Sequence, residues 1–147
     1  MRLKLFADGG SRGNPGPAAC GAVLYDSAGK VVAEVAEFLG ENFTNNQAEY
    51  AGVLLGIRKA LSLKATEIAI YLDSKLVVEQ VSGRWKIKDL KIRKVVEKIH
   101  AELARLDKWE ISHIPREKNS AADALVNQAL DFRGYRKTIY QQPFSRF

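Results

Sequence analysis

The sequence predicts an α/β domain built on a mixed β-sheet, and three observations carry that prediction. The first forty residues read as a strand, a loop and a hairpin; at Thr44 the hydrophobic period changes from strand-like to helical; from there helices and strands alternate. A meander followed by alternating elements returns the later strands to one sheet. A helical crossover of the usual right-handed sense lays residues 67–72 beside the first strand.

The elements follow in order. Leu3, Leu5 and Ala7 alternate with Lys4 and Phe6 as a strand, and residues 9–17 read as a Gly/Pro-rich loop. Residues 20–26 and 30–39 are β-branched or apolar and flank the turn Asp26-Ser27-Ala28-Gly29, which makes them a hairpin. Two overlapping capping boxes, Thr44-x-x-Gln47 and Asn46-x-x-Glu49, open a helix. Its inward positions are expected at Ala48, Ala51, Leu54, Leu55 and Leu61, with Gly52 and Gly56 as small gaps. Residues 67–72 read as a buried strand and 74–81 as a short helix ended by Gly83. A longer amphipathic helix spans 90–106, with Ile92, Val95, Val96, Ile99, Leu103 and Leu106 inward. Residues 109–114 alternate as a strand that starts at a core Trp109, and Asn119 caps a last helix reaching about residue 130. The basic, aromatic tail at 132–147 has no period; Tyr135, Tyr140, Phe144 and Phe147 favour its docking on a body formed by residues 1–131.

At 147 residues, with 46% apolar and 27% charged residues, the chain is expected to form one soluble domain. No apolar run reaches membrane-span length and no signal-peptide pattern opens the sequence. The single Cys20 has no partner for an intrachain disulfide, so a cytoplasmic location is expected; the chain is also expected to be a monomer. The net charge of +6 is consistent with a polyanionic partner. Arg84, Lys86, Lys88, Lys91, Arg93, Lys94 and Lys98 form a run that reads as a solvated helix face. With Trp85 among them, it reads equally as a nucleic-acid contact.

Four carboxylates stand where one element gives way to the next. Asp8 and Asp73 close strands, Glu49 follows the turn Thr44-Asn45-Asn46-Gln47, and Asp123 lies one turn past Asn119-Ser120. Each has a local explanation: a turn residue at Asp8, an N-cap at Asp73, a capping-box partner of Asn46 at Glu49, a helix N-terminus at Asp123. Together they suggest more, because ligands of open α/β sheets gather at the carboxyl ends of strands, where Asp8 and Asp73 emerge side by side. Like charges collected in one place resist joint ionisation unless cations hold them. Mg²⁺ favours carboxylate oxygens, and two ions about 3.5–4 Å apart suit in-line phosphodiester hydrolysis. One Cys and two His cannot supply a usual zinc site. No nucleophile elbow accompanies His100 or His113.

Four segments carry a resemblance. Residues 6–16, Phe-Ala-Asp-Gly-Gly-Ser-Arg-Gly-Asn-Pro-Gly, resemble the first motif of type 1 ribonuclease H; Thr44-Asn45-Asn46-Gln47-Ala48-Glu49 resembles the second. Tyr71-Leu72-Asp73-Ser74 is similar to the third, and residues 119–125 to the fourth, all in the family's order. The resemblance implies a ribonuclease H-like fold, a five-stranded mixed sheet flanked by helices. It also implies metal-dependent endonucleolytic cleavage of the RNA strand of RNA–DNA hybrids, leaving 3′-hydroxyl and 5′-phosphate ends. Asp8, Glu49, Asp73 and Asp123 become the catalytic, metal-binding acids, holding two Mg²⁺ ions when substrate is bound, with Mn²⁺ able to substitute. Asn14, Asn45 and Asn46 become minor-groove contacts, chemically apt because amides both donate and accept. Gly9 would let the RNA backbone approach, and Thr44 would help hold a DNA phosphate.

Three departures stand out. No basic protrusion interrupts the middle helices, which only residues 82–88 join. Asp89 stands near a phosphate-pocket position where the family often has Asn, and its charge would repel phosphate. His113 precedes Asp123 at a compatible spacing, but at a strand end; it assists proton transfer or product release, or else only packs. Arg116 and Glu117 are placed equally well to reach a scissile phosphate. The functional alternative is a module of the same fold that binds hybrids or RNA without cutting.

Overall fold

The computed structural model describes residues 1–133 and the strand at 136–140. β1 (Arg2–Ser11), β2 (Gly16–Tyr25) and β3 (Val31–Phe43) form the meander, followed by α1 (Asn45–Ser62), β4 (Glu67–Leu72), α2 (Lys75–Val81), α3 (Leu90–Leu103), β5 (Lys108–His113), a short 3₁₀ turn (Arg116–Lys118), α4 (Ser120–Asp131) and β6 (Arg136–Tyr140). The sheet order is β5-β4-β1-β2-β3-β6. β4 runs parallel to both β1 and β5, whereas the β1–β2, β2–β3 and β3–β6 pairs are antiparallel. The expected five-stranded mixed sheet is present, and β6 adds a sixth strand that the aperiodic tail did not announce. Of the tail aromatics, Tyr140 ends β6, while Tyr135, Phe144 and Phe147 lie outside the described residues.

The sheet separates two apolar layers. On one face α1, α2 and α3 bury Leu3, Leu5, Val53, Ile57, Val77 and Ile99 among others; on the opposite face α4 packs Leu125, Val126 and Ala129 on Ala19, Val23 and Ala36. Of the positions expected inward on α3, Ile92, Val96, Ile99 and Leu103 are buried and Val95 is half-buried. The helix ends at Leu103, three residues short of the expected end, and Leu106 is buried from the turn beyond it. Trp109 is half-buried against the larger core.

Two local readings need correction. The stretch expected to be all loop is mostly strand: β1 continues to Ser11, and Gly9, Gly10 and Ser11 pair with Cys20, Ala19 and Ala18. Pairing with β2 satisfies these backbone groups despite the glycines. In α1, the deepest face is not the leucine stripe. Ala48, Gly52, Val53, Gly56, Ile57 and Ala60 are buried, while Ala51, Leu54, Leu55 and Leu61 are half-buried. The glycines are the contact surface, not gaps beside it. A Cβ at Gly52 would stand 2.5 Å from the Asp8 carbonyl oxygen. The helix therefore lies directly on the end of β1, closer than any larger residue would permit.

Candidate active site

The parallel pairing of β1 with β4 ends at Phe6 and Tyr71, beside the carboxyl end of β4. Asp8 and Asp73, each two residues further on, therefore emerge together. Glu49 is brought to them by close packing of backbone on backbone. A Cβ at Gly9 would stand 2.2 Å from the carbonyl carbon and oxygen of Ala48 and 2.5 Å from the Glu49 nitrogen. The space that Gly9 leaves is thus filled by the first turn of α1, a packing reason for the glycine where substrate approach had been expected. Gly9 also lines the resulting cleft.

One carboxylate oxygen from each of Asp8, Glu49 and Asp73 lies within 4.8 Å of the others. They form the floor of an open cleft of about 560 Å³ that Asp123, Arg116, Ser74 and Asn45 also line. Asp123, in the first turn of α4, stands at the wall and is not one of the three gathered acids.

Three of the four local explanations are displaced. Ser74, not Asp73, caps α2 by accepting from the Val77 amide at 3.3 Å. Thr44 and Gln47 make the capping box of α1, so Glu49 is released from that duty. Asp8 lies within a strand, not in a turn. Only Asp123 keeps its place at a helix start.

Crowding has an electrostatic consequence. Burial pushes the Asp8 carboxyl from 3.8 up to about 7, reinforced by the charges of Asp73 and Asp123; the Gly9 amide and Arg116 oppose the shift. Glu49 rises from 4.5 to about 7 through burial and the charges of Asp8 and Asp73, against a hydrogen bond from Ser74. Asp73 is also raised, chiefly by burial, while the Asn119 amide and Arg116 pull it down. Three acids that resist joint ionisation at neutral pH offer hard oxygen ligands to a divalent cation, so the donor set fits Mg²⁺ or Mn²⁺.

Asn119, expected as the cap of α4, makes no side-chain cap bond. It is buried, and its Nδ2 donates to the Ala7 carbonyl at 2.9 Å, which ties the start of α4 to the stretch of β1 that carries Asp8. Arg116 lies in the 3₁₀ turn and reaches the acid cleft, whereas Glu117 does not line it. His113 is exposed at the end of β5, its Nε2 3.3 Å from the Asp73 carbonyl oxygen.

A second cleft of about 600 Å³ adjoins the first and shares Asn45 and Glu49 with it. Asn14, Thr44 and Asn46 line it, together with Gln80 and Asp89. Asn14 Oδ1 accepts from the Asn45 amide at 3.1 Å, and Asn45 Oδ1 accepts from the Ser11 amide at 2.7 Å. The turn and the hairpin loop thereby lock together. Asp89 caps α3, accepting from the Lys91 and Ile92 amides at 2.8 and 3.1 Å, with Thr44 in the same cleft. Trp85, 45% exposed, lines neither cleft; it borders a third depression with Lys86, Lys88 and Arg93. His100 lies there too, its Nε2 2.8 Å from the Val81 carbonyl oxygen.

Sequence reasoning passed over Ser74 and Arg12, both of which line the acid cleft. Ser74 was legible as a serine three residues before the Val77 amide of a new helix. Arg12 stood inside the first motif, overshadowed by its glycines.

The family model described as reverse transcriptase-like matches residues 6–129. Among solved structures, RNase H1 from the halophilic archaeon Halobacterium salinarum is 41% identical with a TM-score of 0.87, over 90% of this chain and 99% of that one. LC11-RNase H1, solved in complex with an RNA/DNA hybrid, is 37% identical with a TM-score of 0.82, over 88% and 97%. The chain belongs to the type 1 ribonuclease H family. It is also 45% identical over 132 residues to the bifunctional protein Rv2228c of Mycobacterium tuberculosis, covering 89% of this chain and 36% of that protein. It thus spans little more than a third of that relative's length.

Proposed function

We propose that this protein is a metal-dependent endoribonuclease that hydrolyses the RNA strand of RNA–DNA hybrids, with residues 1–131 as the catalytic unit. The observation that carries this reading is the convergence of Asp8, Glu49 and Asp73 oxygens within 4.8 Å of one another. The hybrid-bound relative supports the choice of substrate.

In this reading Asp8, Glu49 and Asp73 hold the metal ions, with Asp123 contributing from the wall. Two bound Mg²⁺ or Mn²⁺ ions would activate the attacking water and stabilise the leaving oxygen of an in-line displacement, leaving 3′-hydroxyl and 5′-phosphate ends. The chain supplies the rest. Arg116 offers a guanidinium to the scissile phosphate at the edge of an otherwise acidic floor. Asn14, Asn45 and Asn46 present amides to 2′-hydroxyls and base edges in the minor groove. Thr44 faces a phosphate of the DNA strand across a cleft that also contains Asp89. His113, with its Nε2 3.3 Å from the Asp73 carbonyl oxygen, would assist proton transfer or product release or else only pack, and Trp85 with its lysines would add a cationic surface for nucleic acid. The reading takes the chain as a monomer.

The test is substrate selection. Labelled RNA–DNA hybrid, single-stranded RNA and duplex DNA are each incubated with the protein and Mg²⁺ or Mn²⁺. Cleavage confined to the RNA of the hybrid and lost on chelation is expected. Binding of the hybrid with no cleavage under either ion would replace this reading by that of a binding module.

A further inference from the structure

We propose that Arg12 is a phosphate contact for the RNA strand, engaging the phosphate beside the one that lies over the acid floor. The inference rests on the hybrid-cleavage reading and adds to it a residue outside the acids and amides already discussed. Among the described residues lining the acid cleft, only Arg12 and Arg116 are cationic. A polyanion entering that cleft meets repulsion from its floor and needs cations at its edges.

The two arginines flank the floor at opposite ends of α4. Arg116 lies just before the helix starts and acts on Asp8 and Asp73. Arg12 reaches the far end, its Nη2 2.8 Å from Asp131 Oδ1 and 3.5 Å from Asn127 Oδ1. Asp123, Asn127 and Asp131 recur every four residues, so they line one face of α4, each step about 6 Å along the axis. Asn127 closes the chain of contacts, its Nδ2 3.2 Å from the Asp123 carbonyl oxygen and 3.4 Å from Asp123 Oδ2. The guanidinium therefore stands roughly one to two such steps, about 6–12 Å along the helix axis, beyond Asp123, so that it meets a phosphate other than the one over the acid floor.

The loop that presents Arg12 is pinned. The Arg12 amide donates to the Pro17 carbonyl at 2.8 Å, and Ser11 donates to Asn45 Oδ1 at 2.7 Å and to the Phe43 carbonyl at 2.8 Å. A fixed loop keeps the long side chain aimed without ordering it anew on binding. The Asp131 pair is half-exposed on both sides, 48% and 56%, so it contributes little and yields readily to a phosphate. A guanidinium has five donors in a planar fork suited to two phosphate oxygens, and Asp131 Oδ1 occupies only part of it. The donors that Asp131 leaves unused stay open to a phosphate.

A purely structural role, a clasp between the hairpin loop and α4, is the competing account, and three variants separate the two. KM and kcat for a hybrid with Mg²⁺ are measured across a salt series for the parent, Arg12→Ala, Arg12→Lys and Asp131→Asn, with Tm recorded for each. Arg12→Ala should raise KM about three- to tenfold, more than it lowers kcat, and make the salt slope shallower by about one. Arg12→Lys should restore the slope and part of the affinity. Asp131→Asn should leave KM at or below the parent value. An unchanged KM and slope in Arg12→Ala would overturn the assignment; so would Asp131→Asn raising KM as much as Arg12→Ala, with equal falls in Tm. A parent that neither binds nor cuts the hybrid overturns the functional reading and this inference with it. A parent that cuts normally beside an unaffected Arg12→Ala overturns only the inference.

Discussion

Replacing Asp8 by Asn should stabilise the metal-free protein while removing its activity, and the gain should depend on pH. The Asp8 carboxyl moves from 3.8 to about 7 on folding, mainly because burial disfavours its charge and secondarily because Asp73 faces it. The folded state therefore binds the proton more tightly than the unfolded chain does. Stability from this group is fully present below about pH 4 and falls as pH rises toward 7, since the native state must then lose a proton it holds strongly. At about 1.4 kcal/mol per pH unit across that window, the penalty reaches an upper bound of ~4 kcal/mol. Water in the open cleft screens part of the repulsion, and half of that bound, ~2 kcal/mol, is the working figure. For a chain of this size this is a rise in Tm of roughly 4–8 °C. The assay is thermal unfolding of parent and Asp8→Asn in chelator from pH 4 to 8. The difference should be near zero at pH 4, open through pH 5–7, and shrink at pH 7.5 when saturating Mg²⁺ neutralises the acids of the parent. A variant no more stable than the parent at pH 7.5, or a difference independent of pH, would refute the electrostatic argument.

Gly9→Ala places a Cβ 2.2 Å from the Ala48 backbone, so it should lower stability by about 1–3 kcal/mol. It should also depress hybrid cleavage, because α1 moves Glu49 with it; chemical denaturation and initial rates check both. Asp89→Asn removes a negative charge from the cleft shared with Thr44 while an amide oxygen can still cap α3. Hybrid affinity measured at low salt should rise a few-fold, and an unchanged value would mean that no phosphate comes near that cleft.

Much of this molecule is legible in its sequence because the physical signals are local. The 3.6-residue period of Ile92, Val96, Ile99 and Leu103 needs no tertiary information, and the apolar run from Ile68 to Leu72 declares a buried strand. Asp8 and Asp73 were legible as a pair because a right-handed crossover lays β4 beside β1, although β1 runs past Asp8 to Ser11. What escaped depends on contacts between distant segments. Gly52 and Gly56 look like interruptions of a leucine stripe, yet they let α1 lie on β1, and only the facing Asp8 and Leu5 reveal that use. Gly9, Gly10 and Ser11 have the composition of a loop but are held in β1 by their partners on β2. Asn119 stands at the N-cap position of α4 but its Oδ1 caps nothing, and its Nδ2 instead donates to the Ala7 carbonyl, 112 residues earlier. β6 has no period of its own and gains its pairing from the edge of β3.

The central claim is that Asp8 within β1, Asp73 just past β4 and Glu49 near the start of α1 act together, through divalent ions, on the RNA of a hybrid. Its most direct test is single-turnover cleavage of a labelled hybrid by the parent and by Asp73→Asn, with Mg²⁺ titrated from zero and both proteins shown to be folded. The account predicts that the parent cuts only with the ion present and that the variant falls by at least about a hundredfold at every Mg²⁺ concentration. Cleavage by the parent in chelator, or an Asp73→Asn rate equal to the parent's, would contradict it.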